Sequence, residues 1–317
     1  MYYVGVDVGG TSVKLGLFDD NNLINKSSFK TTKIDCLVCE LVKNLKQLFI
    51  DNNKDIKDLK GIGIGFPGHV DGETGIVVYS NNLVAHNYPL VSEIQKEINV
   101  PIRMSNDANV AAFGEFHFGI GKNFNNIIFV TLGTGVGGGI IIDGKIIEGK
   151  NGAGAELGHM VISRNGELCS CGRRGCFETY ASANALIRNA RVAMSNNPTS
   201  ILNEMAKDPE ELDGVIFFNA LEKNDKVAQI VFEEYIENLA EGLTNFANIF
   251  RPDAIILGGG ISYRGDALME PLQQRLAKMI YGGQWNARVE LMISELKNDA
   301  GIFGAYAMAK EYLKINN

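Results

Sequence analysis

The chain has 317 residues, more than one ordinary core accommodates, so two domains are expected. Its formal net charge of −7 argues against duplex nucleic acid as a partner, which favours a basic surface. No apolar run approaches the roughly 20 residues that span a bilayer. The opening MYYVGVDVGG has no basic n-region and no cleavable apolar stretch, so no membrane partner and a cytoplasmic location are expected.

Tyr2 to Val8 reads as a buried strand, and Ser12 to Asp19 as its hairpin partner, alternating apolar and polar. A turn at Asp19 to Asn22, a strand at Leu23 to Thr31 and an amphipathic helix from Cys36 to Ile50 follow. Gly61 to Phe66 is a strand ending in the turn Pro67-Gly68. Val70 to Tyr79 forms a small hairpin, and Val91 to Ile98 a helix. A short strand, Pro101 to Ser105, leads to Asn106, which opens an alanine-rich helix up to His117. The pattern then restarts with a strand at Asn126 to Leu132, the turn Gly133-Thr134-Gly135 and a strand at Val136 to Ile142. Two strand–glycine turn–strand units imply a duplicated architecture. Beyond them the chain reads as mostly helical, with strands at Ala254 to Leu257 and near Val289 to Met292, and a last amphipathic helix from Gly301 to Ile315. The expected division is residues 1–118 and 119–300, with the helix of residues 301–317 packing back on the first domain.

Glycine after a strand lets backbone N–H groups approach phosphate oxygens. Asp7, Gly9, Gly10, Thr11 and Lys14 form one such group, with Asp7 placed to hold Mg²⁺ through water. Gly133, Thr134 and Gly135 form a second. Each alone also reads as a plain hairpin turn; together they point to a polyphosphate. Gly258, Gly259 and Gly260 end a strand and offer a flat backbone surface to an adenine or ribose. Asp107, in the first turn of a helix, can take a proton from an attacking hydroxyl; it also reads as a carboxylate at the positive end of a helix. Asn106 beside it, and Asn82 further upstream, are candidates for sugar hydroxyls.

His159, Cys169, Cys171 and Cys176 match a closed Cys₃His site, hence structural Zn²⁺. Glu156 and Glu178 bracket that loop, which would hold them rigidly. Cys36-x-x-Cys39 shares the spacing of redox pairs but begins an amphipathic helix, where small buried hydrophobes are the simpler reading. His69, His86 and His117 stand apart and read as surface or packing residues.

The set Asp7-x-Gly9-Gly10-Thr11-x-x-Lys14, Asn106-Asp107-Ala108-Asn109, Gly133-Thr134-Gly135-x-Gly137-Gly138-Gly139, Glu156-x-Gly158-His159, Cys169-x-Cys171-Gly172-x-x-Gly175-Cys176 and Gly258-Gly259-Gly260 resembles the ROK family (repressor, open reading frame, kinase). The resemblance implies an α/β, actin-like (ribonuclease H-like) ATPase fold, with two α/β domains flanking a cleft. It implies ATP, Mg²⁺, a structural zinc and transfer of the γ-phosphoryl group, usually to O6 of a hexose. The hexose would be glucose, an N-acylhexosamine such as N-acetylmannosamine, or a β-glucoside. Family roles fall on Asp107 as base and on Asn82, Asn106, Glu156, His159 and Glu178 as sugar ligands. His159 would serve both zinc and sugar, one ring nitrogen each. The family habit suggests a homodimer. Its repressors carry an N-terminal helix-turn-helix; only four residues precede Gly5, so DNA binding is not expected. The rival reading is a catalytically silent sugar sensor or partner-binding protein of the same fold.

Overall fold

Alternation of apolar and polar residues is strongest in Ser12 to Asp19, where Val13, Leu15 and Leu17 are fully enclosed. In the computed structural model, which describes residues 1–316 apart from Asn21, Asn82, Gln284, Asn286 and Ala287 (backbone alone for 314–316), that segment is a strand. In chain order the strands are β1 (Tyr2–Val8), β2 (Ser12–Asp19), β3 (Asn22–Lys30), β4 (Leu59–Phe66), β5 (His69–Asp71), β6 (Ile76–Ser80), β7 (Ala85–Tyr88), β8 (Ile102–Asn106), β9 (Ile127–Leu132), β10 (Val136–Ile142), β11 (Lys145–Ile146), β12 (Ala254–Gly258) and β13 (Glu290–Ile293). The helices are α1 (Ile34–Asp51), α2 (Leu90–Gln95), α3 (Asp107–Phe118), α4 (Glu178–Ala181), α5 (Ala183–Asn196), α6 (Leu202–Met205), α7 (Gly214–Glu222), α8 (Lys226–Phe250), α9 (Asp266–Met279) and α10 (Ala300–Asn316). Two five-stranded sheets share one order, β3-β2-β1-β4-β8 and β11-β10-β9-β12-β13, as the repeated strand–turn–strand unit implies. A third sheet, β5-β6-β7, includes a strand that sequence reading passes over.

The chain divides into two compact units, one of Met1–Phe129, Gly138–Ala155 and Ser294–Asn317, the other of Val130–Gly137 and Glu156–Ile293. In the first unit β1 runs antiparallel to β2 and parallel to β4, which runs parallel to β8. Parallel strands end together, so Asp7 of β1 and Asn106 of β8 both lie at the carboxyl edge of the sheet, where α/β folds bind ligands. Leu37, Leu41, Leu45 and Leu48 of α1 join Val4, Val6, Val13 and Leu15 in one apolar core. Helix α10 packs on α3, β1 and β4. That approach needs glycine beneath it: a Cβ at Gly5 would collide with the Ile302 carbonyl, and one at Gly63 with that of Ala305.

Cys36 and Cys39 are both exposed, which corrects the expectation of small buried hydrophobes. The buried stripe of α1 runs through Ile34, Leu37, Val38 and Leu41, and that phase turns both thiols to solvent. In the second unit the 25-residue α8 packs on α4, α5, α7 and α9, its start capped by Asp225, whose Oδ1 accepts the Ala228 N–H at 2.8 Å. Among the described residues no helix is long and apolar enough to cross a membrane.

Candidate active site and metal centre

The turn between β1 and β2 is held by local bonds. Gly9 N–H donates to the Ser12 carbonyl at 3.0 Å, and Thr31 Oγ1 donates to the Gly9 carbonyl at 2.7 Å. The Gly9 N–H is therefore engaged, and Gly10 and Thr11 are the exposed residues of the turn. Lys14 Nζ lies 3.5 Å from Asp7 Oδ2 and donates to the Asn298 carbonyl at 2.9 Å. Burial pushes the Asp7 carboxyl above its ordinary range, and Lys14 only partly offsets this.

Strand β8 delivers Asn106 and Asp107 to the start of α3. The Asn106 side chain is the N-cap: its Oδ1 accepts from Ala108 N–H at 2.9 Å and Asn109 N–H at 3.3 Å, and its Nδ2 donates to the Gly68 carbonyl at 3.1 Å. Both ends of that amide thus do structural work. Asp107 Oδ1 accepts the Ala108 N–H at 2.9 Å, and the carboxylate is half-buried.

Two groupings that sequence reading missed support this segment. Glu148 accepts from Arg103 at 3.0 Å and from Ser105 Oγ, tying β8 to the loop that follows β11. His69 Nε2 lies 2.9 Å from the Asn151 carbonyl of the same loop. Glu115, inside α3, is fully enclosed. A lone carboxylate in the apolar run Ala111-Ala112-Phe113-Gly114-Glu115-Phe116 was the available signal.

In the second unit, Gly133 N–H donates to the Gly135 carbonyl at 3.0 Å. Glu178, at the start of α4, accepts the Val136 N–H at 3.0 Å, so one of its oxygens is committed to the glycine turn. Gly259 has φ +85° and presses on the Leu132 backbone, which accounts for glycine there. Gly133 and Gly260 are different: a Cβ at either would meet nothing within 4 Å, and neither has a left-handed φ. Neither internal packing nor backbone conformation accounts for glycine at these two positions. Glu156 is exposed, its carbonyl accepting the His159 N–H at 3.1 Å. Asn82 lies outside the described residues.

His159, Cys169, Cys171 and Cys176 converge, with one donor atom of each within 4.8 Å of all the others. His159 Nδ1 lies 3.6 Å from Cys169 Sγ, and Cys171 Sγ lies 3.6 Å from Cys176 Sγ. A tetrahedron with bonds of about 2.3 Å has edges of roughly 3.8 Å, so these spacings fit a metal ion at the centre. The knuckle depends on left-handed glycines, Gly172 (φ +86°) and Gly175 (φ +80°). Burial pushes the Cys176 thiol up to about 12, while a hydrogen bond from the Arg173 backbone lowers Cys171. Because Nδ1 faces the sulfurs, Nε2 is the His159 nitrogen left for another partner.

These elements define a protein class. The chain belongs to the ROK family, which matches residues 3–312, and its fold is the α/β, actin-like ATPase fold. It is 35% identical over 309 residues to a glucokinase from Thermotoga maritima, covering 97% of each chain. A solved ROK-family glucokinase from Streptomyces griseus, in complex with glucose and AMPPNP, matches with a TM-score of 0.84 at 31% identity, covering 98% of this chain and 100% of that one. A xylose repressor from Bacillus spizizenii is 35% identical over 254 residues, covering 80% of this chain and 62% of that protein.

Proposed function

We propose that this ROK-family protein is a sugar kinase that transfers the γ-phosphoryl group of ATP to O6 of glucose. The observation that carries the nucleotide half is the bare backbone at Gly133 and Gly260, where glycine serves no packing need. The sugar half rests on the glucokinase relatives and on the glucose and AMPPNP held by the Streptomyces griseus protein.

In this reading Asp107 accepts the proton of the sugar hydroxyl as its oxygen bonds to the γ-phosphorus, and the bond from phosphorus to the β–γ bridging oxygen breaks to release ADP. Asn82, Asn106, Glu156, His159 and Glu178 hold the sugar. Gly10, Thr11, Lys14, Gly133, Thr134 and Gly135 receive the phosphates, Gly9 closing the first turn beneath them, and Gly258, Gly259 and Gly260 receive the nucleoside. Asp7 would hold Mg²⁺, which supplies positive charge to the phosphates when bound. His159, Cys169, Cys171 and Cys176 would hold a structural zinc, which braces the loop between Glu156 and Glu178. The protein would act as a cytoplasmic homodimer.

A coupled ADP-release screen across hexoses, N-acylhexosamines and β-glucosides tests the reading. Glucose should give the highest kcat/KM. The repressor relative favours one alternative, a sugar sensor without catalysis; sugar binding with no sugar-dependent ADP release would establish it and sink the kinase.

A further inference from the structure

Two carboxylates are buried among the described residues, Asp225 and Glu115. Asp225 is explained as the cap of α8. Glu115 is not a cap. It sits two turns into α3, at 0% exposure. Burial without hydrogen bonds would be prohibitive for a charge. Glu115 avoids this by accepting four bonds: from Ser294 Oγ at 2.6 Å, Leu296 N–H at 2.8 Å, Glu295 N–H at 3.2 Å and Ile120 N–H at 3.2 Å. A Cβ at Gly119 would collide with the same carboxylate, so the chain turns closely around it.

The donors come from two particular places. Ser294 is where the chain re-enters the first unit after its long excursion through the second. Ile120 begins the turn that leads into β9, the strand along which the chain first leaves the first unit. One side chain therefore gathers an outgoing and a returning segment, and it does so from the helix whose first residue is Asp107. The two carboxylates are eight residues apart on α3, roughly 12 Å along its axis. Filling space in a core needs no carboxyl group; gathering three backbone N–H groups and a hydroxyl at one point uses both of its acceptor oxygens.

We propose that Glu115 is a positioning residue for phosphoryl transfer, tying the helix of Asp107 to the two segments, at Ile120 and at Ser294 to Leu296, by which the chain leaves and re-enters the first unit. The proposal rests on the reading of Asp107 as base.

The test uses the full chain and two variants. Glu115→Gln keeps the volume but turns one acceptor into a donor facing N–H groups. Ser294→Ala removes one donor and leaves the carboxylate three. For Glu115→Gln, kcat should fall about tenfold to a hundredfold with glucose KM and glucose Kd within about twofold. Ser294→Ala should move kcat in the same direction by less. Amide exchange at residues 119–121 and 294–297 should quicken in Glu115→Gln while exchange in β1 and β4 stays as in the parent. Unchanged kcat in both variants, or KM and Kd rising in step with the loss of kcat, overturns the proposal. So does unchanged exchange at those residues. A parent protein that releases no ADP with any sugar fails the kinase reading instead, and the exchange experiment still reports whether Glu115 holds the two segments.

Discussion

Arg103 Nη2 donates to Glu148 Oε2 at 3.0 Å, and both side chains are about one-fifth exposed. The other Glu148 oxygen takes Ser105 Oγ, two residues before Asp107. An ion pair in this partly buried setting acts as a brace for the backbone it joins. Glu148→Ala should strand Arg103 and destabilise the fold by about 1–3 kcal/mol, with kcat/KM for glucose falling about tenfold or more. Glu148→Gln, which still accepts from Ser105, should lose less of both. Thermal unfolding and steady-state kinetics read the two effects; an Ala variant equal to the parent in both would remove the brace from the account.

Asp107→Asn should lower kcat by about 10²- to 10⁴-fold. Glucose binding, followed by calorimetry, should persist, because the amide keeps the shape and its oxygen can still accept the Ala108 N–H. Near-normal turnover would sink Asp107 as base.

The metal prediction has a built-in control. Cys171 is exposed, so in a metal-free fold Cys171→Ala would change stability by no more than about 0.5 kcal/mol. If the cluster holds zinc, the same substitution should release it and unfold the knuckle around Gly172 and Gly175 well below the parent's melting temperature. Elemental analysis of the parent should find about one zinc per chain. A parent that is folded, active and free of zinc would refute the assignment.

Asp7 gives a pH-dependent prediction. Its carboxyl is raised in the folded protein, so the fold favours the neutral form. The ionised group therefore costs stability at neutral pH; that cost starts to shrink as pH falls below the raised value and is gone once pH is below the ordinary carboxylate range. Asp7→Asn should unfold at a higher temperature than the parent near neutral pH, and the gap should close in acid. Mg²⁺ and ATP should reverse the order at neutral pH, because ligand stabilisation needs the carboxylate. A variant less stable than the parent without ligand would contradict the sign.

Local features were legible in the sequence and distant pairings were not. The hairpin of β1 and β2, the turn at Gly133 to Gly135 and the cysteine knuckle all lie within a few residues and carry glycine or cysteine marks. Glu115 meets Ser294 across 179 positions, and Arg103 meets Glu148 across 45, so neither leaves a local pattern. β7 reads Ala85-His86-Asn87-Tyr88, with no apolar alternation and a left-handed Asn87, and only its pairing with β6 makes it a strand. The misjudged cysteines of α1 show a related limit: at Cys36 and Cys39 one position of helical phase decides between core and solvent.

The seating of α10 on Gly5 and Gly63 bears on how the protein is born. The first unit's sheet comes from residues 2–106, yet the helix that covers β1 and β4 is residues 300–316. During synthesis at about 5–20 residues per second, those strands are made well before their cover, and their α10 face waits unshielded while the second unit is translated. The second unit's helices, by contrast, pack on near neighbours in the chain and can settle on the ribosome. A chaperone that shields apolar strands should therefore hold nascent chains ended between residues 106 and 300 and let go once residue 316 has emerged.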